Sequence, residues 1–167
     1  MTATLSLFLN GYELGVFNTS INSIADVMDW SGGEKTFFTS ICTGMMNLGA
    51  LFGAILASFT ADRIGRRKLL IYNALIAIVA SVVNIQANTI TFVIGRFMGG
   101  IVGGIGSTVG PVYVNEYAPA EISGKLGSMV QMQTTMGILV AYIMGLGLSL
   151  SFWWRIMFGF PIIIAVL

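Results

Sequence analysis

Histidine is absent from the 167 residues, cysteine occurs once, proline three times, and charged residues make up only 9% of the chain. Without histidine there is no imidazole for acid–base work near neutral pH. The lone Cys42 excludes an intramolecular disulfide and a thiolate metal cluster, and its apolar surroundings fit a buried packing residue. Eight basic and seven acidic residues leave a formal net charge of +1, so no basic face for nucleic acid and no acidic face for a charged partner is offered. No activated nucleophile and no paired carboxylates are present, which argues against a bond-breaking enzyme and against a resident cofactor or metal. Soluble domains carry about 25% charged residues. Here 56% of the residues are hydrophobic and 21 are glycine, the composition of an all-α integral membrane protein.

Apolar stretches long enough to cross about 30 Å of hydrocarbon recur between short polar interruptions. Five full transmembrane helices are expected, over Leu5 to Ala25, Phe37 to Thr60, Leu69 to Ala87, Ile90 to Val114 and Leu126 to Leu150. A sixth begins at Trp153 and is cut off at Leu167. The first lacks the basic flank and small-residue cleavage site of a signal peptide, so it reads as a retained helix. No linker or low-complexity tract separates the spans, and residues 1–167 read as one bundle. Trp153 and Trp154 are expected in an interfacial belt at the outer end of the sixth.

The loop "ADRIGRRKLL" packs Arg63, Arg66, Arg67 and Lys68 into six residues, whereas the preceding loop, Asp26 to Lys35, carries three acids and one lysine. The positive-inside rule then places the basic loop and the N-terminus of this multi-pass membrane protein in the cytoplasm, and the plasma membrane is expected over an organelle. In the fourth span Gly99/Gly103, Gly100/Gly104 and Gly106/Gly110 each stand four apart, a stripe that lets a second helix approach backbone to backbone. Pro111 removes a backbone donor near the cytoplasmic end of that span.

Two ionisable residues lie inside otherwise apolar spans. Glu13 falls about 20 Å, and Arg96 about 12 Å, below the outer ends of the first and fourth spans at 1.5 Å per residue. Each is costly alone, and a pairing inside the bundle is the simplest explanation for both.

"ADRIGRRKLL" resembles the loop signature of the major facilitator superfamily through Asp62, Arg63, Gly65, Arg66 and Arg67. "PVYVNEYAPAEISGKLGSMVQMQTTMG" is similar to its sugar porter branch through Pro111, Tyr113, Glu116, Ala118, Pro119, Gly124, Gln131 and Gly137. "GYELGVF", "GRFMGG" and "WWRIMFG" follow in the order expected of spans one, four and six, so the resemblance covers nearly the whole chain. It departs from the pattern at Ser58 and Thr60, where glycine and leucine are usual, and at Ser123, where arginine is usual.

The resemblance implies the N-terminal helical bundle of a major facilitator-type carrier that takes a monosaccharide and works with a C-terminal six-helix half. It implies that Gln131 meets the sugar, that Glu13 takes up a proton opposite Arg96, and that Asp62, Arg63, Gly65, Arg66, Arg67, Glu116, Pro119 and Gly124 belong to cytoplasmic gating loops. An amide suits a ring of hydroxyls because it both donates and accepts. Sugar transport coupled to a proton by alternating access is the resulting expectation, with membrane lipid as the surrounding partner. An uncoupled sugar facilitator remains open, as does a shortened membrane subunit with a scaffold or sensor role.

Overall fold

The computed structural model describes residues 2–28, 30, 33–86, 88–117, 123–146 and 153–166. They form six helices, α1 (Thr2–Val27), α2 (Gly33–Ile64), α3 (Arg66–Asn84), α4 (Thr89–Tyr117), α5 (Ser123–Gly145) and α6 (Trp153–Val166), and no strand occurs among them. By length and apolar composition α2, α3 and α4 are able to cross a membrane. Helices α1, α2 and α4 run a few residues past the expected spans because polar and charged residues continue a helix beyond hydrocarbon, whereas α3 ends at Asn84 and α5 at Gly145, short of the expected Ala87 and Leu150, which lie outside the described residues. The break between α2 and α3 is a single residue, Gly65, at φ 92°, a left-handed conformation that a side chain resists.

Glycine determines which helices touch. On α2, a Cβ at Gly49 or Gly53 would strike the carbonyls of Phe97 and Ile101 on α4. One at Gly100 or Gly104 of α4 would strike those of Met46 and Ala50 in return. The two helices run parallel with backbones nearly touching, held by dispersion along the whole contact. A second face of α4 carries Gly95, Gly99, Gly103, Gly106 and Gly110 and receives side chains in place of backbone: Asn84, Glu13, Asn10, Ser6 and Leu7 respectively. The single stripe expected from spacing is therefore two faces with different occupants. Helix α5 lies along α1 through Gly11, Gly15 and Gly137, where added side chains would meet the backbones of Thr134, Ile138 and Phe8.

The main core gathers Tyr12, Val16, Phe17, Ile24, Cys42, Phe92, Ala141, Trp154 and Met157. Trp154 is 1% exposed and packs edge-on against Phe158, which corrects its expected place in an interfacial belt. Trp153 is half-buried and donates from Nε1 to the Met144 carbonyl at 2.7 Å. Cys42 is fully buried, as its surroundings suggested. Pro161 lies inside α6 and has no N–H to give the Met157 carbonyl four residues earlier. The Tyr12 hydroxyl donates to that carbonyl at 2.9 Å and supplies the missing bond from α1. The outward faces of α2 and α3 are apolar, with Phe52, Phe59, Leu75 and Val79 exposed, a surface suited to lipid.

Candidate functional site

Glu13 and Arg96 are both buried, at 8% and 1% exposure. α1 places Glu13 with Oε2 against Gly99 of α4, where the missing side chain leaves room for the carboxylate. Arg96 lies almost one turn farther out on α4. Its guanidinium stacks over the Phe17 ring at 4.3 Å, and Nη2 approaches the Met46 sulfur of α2 at 2.7 Å. The two charges thus share one region of the bundle, as expected, but they are not in ion-pair contact. Among the described residues Arg96 Nε and Nη1 and Glu13 Oε2 have no hydrogen-bond partner. A buried cation held by an aromatic face and a thioether keeps most of its donors unspent. Toward α6 the wall beside Glu13 consists of Tyr12, Val16, Met157, Phe158 and Pro161.

Gln131 stands elsewhere. It is exposed on α5, beside the exposed Met132 and Thr135, on a face that the other five helices leave uncovered. Gln133 is half-buried and turned to a different side. Met129, Met132 and Met136 on α5 are exposed, whereas Met46 of α2 is buried against Arg96.

At the opposite end of the bundle from Trp30, Arg66 joins two acids. It pairs with Asp62 at 3.8 Å, one turn away across Gly65, and with Glu116 at the end of α4. Arg63, Arg67 and Lys68 are exposed around this centre. An open cleft of about 520 Å³ runs between Asp62, Gly65, Arg67, Tyr113 and Glu116. The structure therefore brings together Asp62, Gly65, Arg66 and Glu116 from two separate sequence motifs. Pro119 lies outside the described residues, and of Gly124 only its place in the first turn of α5 is described.

Residues that the sequence reading passed over complete the picture. Met46 and Phe17 cradle Arg96. Asn73, Ser81 and Asn84 form a buried polar row on α3. Asn73 and Asn84 are eleven residues apart, about three helical turns, and that recurrence was the available signal.

The sequence profile described as Sugar (and other) transporter matches residues 1–167. A probable plastidic glucose transporter 2 of Arabidopsis thaliana is 34% identical over 171 residues, covering 100% of this chain and 34% of its own. Myo-inositol transporter 1 of Candida albicans is 33% identical, with 100% of this chain and 30% of its own length covered. Among solved structures, the proton:xylose symporter XylE bound to 6-bromo-6-deoxy-D-glucose superposes with a TM-score of 0.90 at 26% identity, covering 99% of this chain and 41% of that one. The chain spans about a third of the length of the relatives it matches. These relatives and neighbours are membrane transporters, not enzymes.

Proposed function

The chain belongs to the Sugar (and other) transporter family, and from that premise we propose that it forms the N-terminal bundle of a carrier that moves a monosaccharide with a proton by alternating access. Five full crossings and a sixth helix continued beyond Leu167 would make up this half, with a second six-helix half facing it and the N-terminus in the cytoplasm of a plasma-membrane protein. The observation that supports coupling is the burial of Glu13 and Arg96 in one region with unspent donors and acceptor between them. A carboxylate that accepts a proton there no longer attracts the guanidinium, and the helices that carry the two are released from each other. The proton:xylose symporter among the structural neighbours agrees with this chemistry.

Gln131 is exposed on α5, and its amide would be available to a sugar held between this bundle and a second half. Around Arg66, the pairs with Asp62 and Glu116 would serve as a cytoplasmic latch together with Arg63, Gly65 and Arg67. In the full-length carrier in proteoliposomes, Glu13→Gln is expected to abolish accumulation driven by a pH gradient while sugar counterflow persists. Arg96 resting on Met46 and Phe17 favours a second reading, an uncoupled facilitator with a structural arginine. Retained accumulation in Glu13→Gln decides for that reading.

A further inference from the structure

The glycine face of α4 is lined by polar atoms that lack partners. Asn84 Oδ1, Ser81 Oγ and Asn73 Oδ1 of α3, together with Glu13 Oε2 of α1, are buried without a hydrogen bond among the described residues. They follow one line. Asn84 rests on Gly95 and Glu13 on Gly99, with Ser81 about one turn below Asn84. Farther along, Asn10 rests on Gly103 and Ser6 on Gly106, and Asn73 Nδ2 reaches Ser6 Oγ at 3.4 Å and the Val102 carbonyl at 3.2 Å. Buried polar groups left unsatisfied are costly, and native proteins satisfy them with internal water where the lining is polar.

We propose that this strip is a hydrated proton route joining Glu13 to the end of the bundle that carries the basic loop, with water bridging Asn10, Ser6 and Asn73. The proposal rests on the reading of Glu13 as the proton-carrying acid.

Direction follows from what lies on each side of Glu13. Toward the start of α4 stands Arg96 over the Phe17 ring, and a fixed positive charge repels a hydronium ion. Toward α6 the wall beside Glu13 is largely apolar. Toward the basic loop the same face meets the Asn10 amide and the Ser6 hydroxyl, both half-buried, with the Asn73 amide beside Ser6, before Leu7 closes on Gly110. The ionisable groups near Glu13 are Arg96 from α4, Tyr12 of its own helix and, beside Arg96, Cys42 from α2. At this level α3 contributes neutral groups, and α5 packs on α1 through Thr134, Ile138 and Ala141.

Glu13 and Ser6 are two turns apart, about 10 Å, a gap that three or four waters at about 2.8 Å spacing fill. Proton uptake then forms an O–H bond on Glu13 Oε2 as the neighbouring water loses one. Each water is replenished by the next, the last by a hydronium at Ser6. The amides hold the waters and carry no proton themselves.

The test is infrared difference spectroscopy on the full-length carrier transferred into heavy water, following the carboxylic acid band that Glu13→Gln removes. Asn73→Leu, close in size but unable to hold water, is expected to slow deuterium exchange of that band roughly tenfold, and Asn73→Ser to bring it back within about twofold. Gly103→Ala is an independent variant, since its Cβ would lie 2.9 Å from Asn10 Oδ1 and push that side chain into the strip. It too should slow exchange while sugar counterflow persists. A Glu13 band whose exchange ignores both Asn73→Leu and Gly103→Ala overturns the route and leaves the proton-carrying role standing. Absence of any band removed by Glu13→Gln, at every pH tested, overturns that role and the route with it.

Discussion

Tyr12→Phe removes one oxygen from α1, yet its effect should be felt in α6. The Met157 carbonyl has lost its usual partner because residue 161 is proline, and the Tyr12 hydroxyl at 2.9 Å replaces it. Both Tyr12 and Met157 are fully buried, so water cannot take the place of the hydroxyl. Leaving a buried carbonyl unsatisfied costs about 1–3 kcal/mol. The substitution leaves no cavity beyond one oxygen, and the hydroxyl's other neighbour, the Met144 sulfur at 3.3 Å, is only a weak acceptor, so this loss is the main expected effect. Pro161→Ala restores an N–H to the same carbonyl. In that background Tyr12→Phe should cost less than about 1 kcal/mol, because the carbonyl keeps a donor. The coupling energy of the double-mutant cycle is therefore expected at about 1–2 kcal/mol. Reversible unfolding of the four variants in bicelles measures it. Equal costs of Tyr12→Phe in the proline and alanine backgrounds would refute the reasoning, since the hydroxyl would then be stabilising something other than the proline gap.

Two further outcomes follow from the packing and the latch. Gly104→Ala would place a Cβ 2.9 Å from the Ala50 Cα, forcing α2 and α4 apart, and should cost about 1–3 kcal/mol. Gly159→Ala meets only Ile85 Cδ1 at 3.7 Å and should be neutral or slightly stabilising, so thermal unfolding that ranks the two alike contradicts the close-contact account. Asp62→Asn leaves Arg66 with Glu116 alone and removes an acid suited to the N-terminus of a helix in the facing half. It should raise inward accessibility to a thiol probe and slow transport while sugar binding is kept, and equal loss of binding and transport counts against a latch.

The helices were legible because hydrocarbon imposes a length on apolar runs, and their ends were not, because Gly33 to Thr36 and Asp62 to Ile64 continue α2 outside any apolar stretch. Glu13 and Arg96 declared themselves by being charged where little else is. Their separation was not readable, since it depends on Met46 and Phe17 arriving from two other helices to occupy the guanidinium. Trp154 was misplaced for a related reason: an aromatic pair next to a loop has the composition of a belt, and only the approach of Phe158 and the rest of the core shows one ring turned inward. Arg66 and Glu116 came from separate motifs whose charges matched, but their meeting required Gly65 to turn the chain.

The partnership of α1 with α4 also imposes an order on biosynthesis. Glu13 is translated about 80 residues before Arg96, which at 5–20 residues per second is roughly 4–16 seconds. The Asn73 side chain that reaches Ser6 is made in that interval, and Gly99, which makes room for the carboxylate, only just after it. During it α1 carries an acid with no counter-charge and no cradle, beside lipid or inside the insertion machinery. Helix α1 is thus made well before the helices it packs on, for α5 comes later still. Slowed elongation or a weakened insertion chaperone should therefore lengthen the time for which α1 is exposed to quality control.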